Sequence, residues 1–178
     1  MSPSPGPEFQ QRAAAIRLAV FDVDGVLTDG TLYLDDRGTQ TKAFNVRDGL
    51  GLKALMRHDI AVAVITARRS GVVERRMAEL GVSLLHQGVA DKEHALLELA
   101  ASLDIPLSAT SFMGDDLIDW RAMKHCAISA APADADAWIR ARVDIVTQAG
   151  GGRGAVREFS ERLLDARGAL EAWQDSYQ

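Results

Sequence analysis

The stretch AVFDVDGVLTDG, residues 19–30, decides how the chain is read. Ala19, Val20 and Phe21 run straight into Asp22, and Asp24 follows one residue later. With its neighbours, IRLAVFDV (16–23) reads as a strand, apolar throughout as buried parallel strands are. Residues two apart in an extended chain point the same way, so both carboxylates leave this strand end on one side. Buried together and unpaired they repel, and one is pushed toward neutrality. A divalent cation removes the conflict, and carboxylate oxygens favour a hard ion such as Mg2+, which can also hold a substrate phosphate.

Working outward, short apolar runs alternate with helical patterns. Residues 49–59, 71–81, 91–104, 116–125, 134–143 and 154–173 read as helices. Between them, 60–66, 83–87, 109–114, 126–131 and 144–148 read as strands. The expectation is an α/β fold: a doubly wound, Rossmann-like parallel sheet with helices on both faces. GTLYLDDRGTQTKAFNV (30–46) interrupts the rhythm, with two β-like runs around the turn signal DDRG. It predicts a small β-hairpin insert. MSPSPGPEF mixes Ser, Pro and Gly without an apolar core, so residues 1–14 are expected to be a disordered tail and 15–178 a single domain.

The net charge of −5, with no basic stripe, argues against nucleic acid as a partner. The single cysteine, Cys126, excludes an internal disulfide and fits a reducing compartment. Runs such as IAVAVI are too short to span a bilayer. A cytoplasmic protein with no membrane partner is the expectation.

In doubly wound sheets, ligands sit beyond the carboxyl ends of the strands. Asp22 and Asp24 follow the first strand, and Thr66, Arg68 and Arg69 the second. Lys92 follows the third, and Gly114, Asp115, Asp116 and Asp119 the fourth. Alone, each is ordinary: a DxD recurs in many loops, Thr66 would cap a helix, and Lys92 would face water. Together, in order and at one sheet edge, they suit phosphoryl transfer. One Asp can attack phosphorus, its neighbour can move the proton, Thr66 can hydrogen-bond the phosphoryl group, and Lys92 can neutralise it.

These segments resemble the haloacid dehalogenase superfamily of phosphohydrolases: DVDGVLTDG its first motif, Thr66 its second, Lys92 its third and GDDLID its fourth. The resemblance implies Asp22 as nucleophile and Asp24 as general acid/base. It implies Mg2+ held by Asp22, the Asp24 backbone carbonyl and Asp115, with Asp116 and Asp119 assisting from behind. DGTLYLDDRG, KAFNVRDGLGL, GDDLIDW and GGRGAVRE resemble a subgroup acting on a small acidic sugar phosphate. That subgroup carries a hairpin in place of a cap domain and forms a homotetramer whose neighbours complete the site. It implies substrate binding by Asp24, Asn45, Val46, Arg47, Asp48, Gly49, Lys53, Arg68, Arg76 and Lys92.

Spacing agrees on the cap, because only 43 residues separate Asp22 from Thr66. The C-terminal segment (149–178), opening on Gly150–Gly152 and carrying Arg153 and Arg157, is expected to be a flexible arm toward a neighbouring site. Ala67 and Leu50 depart from the subgroup's pattern, where glycine and an aromatic are expected. Two alternatives keep a related fold: a phosphatase for a nine-carbon sialic-acid-type sugar, and a non-catalytic assembly domain. A phospho-accepting receiver domain fits poorly, since its acceptor Asp would stand where Thr66 stands.

Overall fold

β1 (Leu18–Phe21) lies at the centre of the sheet, and its alternating side chains decide the layering. The computed structural model describes residues 6–178. Among them, six strands form one parallel sheet in the order β5–β4–β1–β6–β7–β8. The partners of β1 are β4 (Ala61–Thr66) and β6 (Thr110–Met113), with Leu18 opposite both Ala61 and Thr110. β5 (Leu84–Gln87) closes one edge, and β7 (Ile128–Ala131) leads to β8 (Ile145–Val146) at the other. Ala19 and Phe21 enter one core layer with Leu52, Leu55, Met77, Phe159 and Leu163. Leu18 and Val20 enter the opposite layer with Leu96, Phe112 and Ile139. Both faces are therefore covered, which is why the strands are apolar throughout. The doubly wound expectation holds.

The first layer is built by α1 (Pro7–Ala14), α2 (Val46–Arg57), α3 (Gly71–Leu80) and α7 (Ala155–Ala166). The second is built by α4 (Lys92–Ser102), α5 (Leu117–Met123) and α6 (Ala137–Arg140). The insert is a hairpin of β2 (Tyr33–Leu34) and β3 (Gln40–Thr41), and Asp35 ties its turn by accepting from the Arg37 and Thr39 amides. No cap domain is present among the described residues, and none of their helices is long and apolar enough to cross a membrane.

Three expectations need correction. Residues 7–14 of the supposed disordered tail are helix α1, whereas residues 1–5 lie outside the described part. Pro7 suits a first helical position, and Ala13 is fully buried. Arg12 pins the helix by donating to the Ala127 carbonyl at 2.6 Å and to Asp144 at 2.9 Å. Second, α2 starts at Val46, three residues early, because Asn45 caps it by accepting from the Arg47 amide at 2.8 Å. Third, the last helix breaks in two, with α8 at Leu170–Asp175, because Gly168 adopts a left-handed turn at φ +68°.

The glycine run is docked on its own chain. The Gly152 amide donates to the Val26 carbonyl at 2.9 Å, and the Gly151 amide donates to Asp134 at 2.9 Å. A Cβ on Gly151 would sit 1.9 Å from the Gly25 carbonyl oxygen, so only glycine permits this approach. α7 then starts on a left-handed Gly154 with no cap of its own. Its cap comes from α2: buried Asp48 accepts from the amides of Gly154 at 3.2 Å and Arg157 at 2.8 Å. Burial raises the Asp48 pKa, with those two bonds working against the rise.

Replacing Asp48 by Ala orphans two part-buried amides. The expected loss is about 2 kcal/mol, which lowers Tm by about 4–8 °C for a chain of this size. Asp48→Asn, which keeps one carbonyl acceptor, should lose less. Thermal unfolding of the two variants beside the parent checks this.

Candidate active site

β1 sits where the strand order reverses, and the site forms beyond its carboxyl end. Asp22 is still fixed by the sheet, since its amide donates to the Met113 carbonyl at 3.0 Å. The chain then curls tightly, with the amides of Val26, Leu27 and Thr28 all directed at the Val23 carbonyl. Gly25 allows the curl at φ +89°, and any Cβ there would lie 2.0 Å from an Asp115 oxygen. The first-strand loop and the Asp115 loop therefore touch only because residue 25 is glycine.

Lys92 is the first residue of α4, which Asp91 caps by accepting from the His94 amide. Its ammonium is buried, 2.9 Å from Asp22 Oδ1 and 2.5 Å from Asp119 Oδ1. Burial opposes that charge, but Asp22 and Asp119 outweigh it and hold the Lys92 pKa above its ordinary value. Asp119 is fully buried and uses its other oxygen to accept from the amides of Asp115 (3.1 Å) and Asp116 (3.2 Å). Burial, then the Asp119 charge, push the Asp22 pKa up to about 7. Burial, Asp119 and Asp22 push Asp115 up to about 8.

This charge balance fits a divalent cation. One oxygen from each of Asp22, Asp115 and Asp119 lies within 4.8 Å of the others. Asp22 Oδ1 forms its ion pair with Lys92 off the hydrogen-bonding direction, leaving a buried oxygen without a hydrogen-bond partner. A hard cation would satisfy it and offset both the burial and the repulsion that raise the two carboxylate pKa values.

The cleft holds about 230 Å³ and is lined by Asp22, Asp24, Thr66, Arg68, Lys92 and Asp115, among others. Four strand ends thus converge as expected. Asp116 also borders the cleft, but its carboxylate caps α5 by accepting from the Leu117 amide at 2.7 Å. Asp119, foreseen only as a supporting carboxylate, makes the shorter of the two contacts to Lys92.

Of the expected substrate-binding residues, Asp24, Arg68 and Lys92 line this cleft, whereas Asn45, Val46, Arg47, Asp48, Gly49, Lys53 and Arg76 do not. Asn45 is the α2 cap, Val46 and Arg47 are exposed on its first turn, and Asp48 turns inward to α7. Gly49 packs under Arg76, where a Cβ would lie 2.6 Å from Nη2. Arg76 pairs with Glu79 at 2.9 Å, and Lys53 is exposed. Arg157 pairs with Glu161 at 2.8 Å and lies over the Trp173 ring, while Arg153 is exposed. Sequence reasoning missed Lys42. Its ammonium is buried against Asp24 Oδ1, and Arg68 Nε lies 3.9 Å from Asp24 Oδ2. The available signal was electrostatic: two carboxylates beside one strand need more countercharge than Lys92 provides.

Comparison with known proteins agrees with this geometry. Residues 84–156 match the family model for haloacid dehalogenase-like hydrolases. The 3-deoxy-D-manno-octulosonate 8-phosphate phosphatase of Escherichia coli (strain B / BL21-DE3) is 46% identical over 164 residues, 92% of this chain and 87% of that protein. The chain belongs to the haloacid dehalogenase-like hydrolases. It is a phosphatase of that family. The crystal structure of a haloacid dehalogenase-like relative, the octulosonate 8-phosphate phosphatase of Moraxella catarrhalis in complex with magnesium, phosphate and KDO, superposes with a TM-score of 0.93 at 42% identity. It covers 96% of this chain and 98% of that one. The Yersinia pestis phosphatase superposes with a TM-score of 0.91 at 45% identity, covering 93% of this chain and 89% of that one.

The raised carboxyl groups make the metal-free phosphatase sensitive to pH. Folded Asp22 and Asp115 hold protons that an unfolded Asp releases above its ordinary pKa of 3.8. Their contribution is therefore fully present below that value and is lost as pH rises through about 7 and 8. Denaturant unfolding in chelator at pH 5, 7 and 9 should show stability falling with pH. Asp115→Asn should flatten the fall, and added Mg2+ should reverse it at the alkaline end.

Proposed function

We propose that the chain hydrolyses 3-deoxy-D-manno-octulosonate 8-phosphate to the free sugar and inorganic phosphate, a step of lipopolysaccharide biosynthesis in the cytoplasm. The observation that carries this is the assembly of Asp22, Asp24, Thr66, Lys92 and Asp115 in one cleft of a chain so similar to phosphatases of that name.

Asp22 is the nucleophile. Its carboxylate attacks phosphorus, the bond from phosphorus to the sugar oxygen breaks, and an aspartyl-phosphate forms. Asp24 gives its proton to the departing oxygen, then removes one from the water that cleaves the aspartyl-phosphate. Lys92 favours the charged, attacking form of Asp22 against the effect of burial, and faces the phosphoryl oxygens. Thr66, buried at the end of β4, offers its hydroxyl to the same group. Asp22, Asp115 and the Asp24 carbonyl would hold Mg2+, with Asp116 and Asp119 supporting them. When bound, the ion supplies charge neutralisation that lets one anion approach another.

Arg68 is the cation in the cleft suited to the sugar's carboxylate, so it is the first substrate-binding residue of this reading. Asn45, Val46, Arg47, Asp48, Gly49, Lys53 and Arg76 gather around the start of α2, outside the cleft. Their part in substrate binding belongs with a homotetramer, in which subunit packing narrows an otherwise open site. Exposed Leu32, Tyr33, Leu34, Leu117 and Ile118 near the hairpin and the cleft mouth support that assembly. In it, Arg153 is the tail residue free to reach a neighbour, because the glycine run and Arg157 are engaged at home.

The test is phosphate release from the eight-carbon sugar phosphate, beside a nine-carbon sialic-acid-type phosphate, with Mg2+ or chelator. Release should need Mg2+, favour the eight-carbon ester and vanish in Asp22→Asn. Thr66→Ala should lower kcat by about 10²-fold. A preference for the nine-carbon ester would overturn the substrate, and no release from either would overturn the reaction.

A further inference from the structure

The hairpin that stands in place of a cap has a buried attachment to the catalytic loop. Its strands are two residues each, and Leu32, Tyr33 and Leu34 are exposed. On the outgoing side, Asp29 accepts from the Thr31 amide at 2.9 Å and from the Tyr33 hydroxyl at 3.2 Å. On the return side, Thr41 and Ala43 are exposed, but Lys42 between them turns inward. The Lys42 side chain is only 2% exposed and its ammonium ends on Asp24 Oδ1. An ammonium is not buried without a partner, and Asp24 is the only carboxylate paired with it among the described residues.

Asp24 needs such a partner. It stands on the tight curl before Gly25, its side chain 22% exposed. A carboxyl group free to rotate there would leave the leaving-group oxygen much of the time. Displacement of a reacting group by about 1 Å costs about 10²-fold in rate. With Oδ1 occupied by Lys42, Oδ2 is the oxygen left on the Arg68 side, where Arg68 Nε lies 3.9 Å away along the cleft wall.

We infer that Lys42 is a positioning residue for the general acid: by holding Asp24 Oδ1 it leaves Oδ2 to carry the proton that goes to the departing sugar oxygen. This rests on the proposed role of Asp24. The hairpin thereby does part of a cap's work, fixing a catalytic group from outside the sheet.

The leaving group provides the test. A sugar 8-phosphate leaves as a primary alcohol and needs a proton as the bond breaks. p-Nitrophenyl phosphate leaves as a stabilised phenolate and does not. kcat/KM reports that first bond cleavage and is measured on both esters for the parent, Asp24→Asn, Lys42→Met and Lys42→Arg. Asp24→Asn should lose about 10²-fold or more on the sugar ester and far less on the aryl ester. Lys42→Met should lose about 10²-fold on the sugar ester with the same selectivity, and Lys42→Arg should recover much of it. The ratio of the two esters is taken on one preparation, so a partly unfolded variant does not alter it.

Equal losses on both esters, or no loss, in Lys42→Met while Asp24→Asn stays selective would overturn the role of Lys42 alone. Loss of selectivity in Asp24→Asn itself would overturn the assignment of Asp24, and the role of Lys42 with it.

Discussion

The site depends on one buried ammonium. Lys92 lies between Asp22 and Asp119, 2.9 and 2.5 Å from their nearest oxygens, with almost no exposure. Without it, two deeply buried carboxylates would face each other, with Asp115 close by, at the end of an apolar sheet. Uncompensated charge in such a place costs several kcal/mol. The contact also fixes architecture. It requires α4 to begin with its lysine at the sheet edge and α5 to turn Asp119 inward. Asp119 then gathers the amides of residues 115 and 116, which shapes the loop that touches Gly25. One cation thus holds the ends of β1 and β6 and the starts of α4 and α5 in register.

That pairing explains which parts of the molecule were legible in the sequence. The central strands could be read because parallel strands buried on both faces are apolar throughout, and because chemistry collects at and just beyond the carboxyl ends of those strands. Asp22, Thr66, Lys92 and Asp115 all follow that rule. Lys42 and Asp48 do not. Lys42 follows a two-residue strand of an exposed hairpin and pairs with a carboxylate 18 positions away. Asp48 sits among residues expected around a substrate but caps a helix 106 positions later in the chain. Neither partner leaves a periodic trace, so only the folded chain reveals the contact. α1 was missed for a different reason: Pro7 closes a run of helix breakers yet also suits a helix start, and composition alone weighs only the first meaning.

The glycine run shows how one composition supports opposite structures. Gly150–Gly152 can mark a flexible arm or a backbone packed too closely for side chains. The distances decide: Gly151 would place a Cβ 1.9 Å from the Gly25 carbonyl, and Gly152 would place one 2.6 Å from the Thr28 carbonyl carbon. The curl after β1 is therefore compressed from two sides, by this run and by Asp115. Asp48, which secures the start of α7, secures the same run from behind. Stability of a distant helix cap and precision at Asp22 and Asp24 are consequently linked through backbone contacts.

The two departures from the subgroup's pattern have unequal consequences in this frame. Leu50 is half-buried and packs into the core layer of α2 and α7, so its size bears on the fit of those helices. Ala67 lines the cleft between Thr66, expected to hold the phosphoryl group, and Arg68, expected to hold the substrate's carboxylate. The methyl group of Ala67 restricts the backbone of the cleft wall that a glycine would leave free. Under the proposed function, residue 67 is therefore expected to bear on substrate selectivity directly, and residue 50 only through packing.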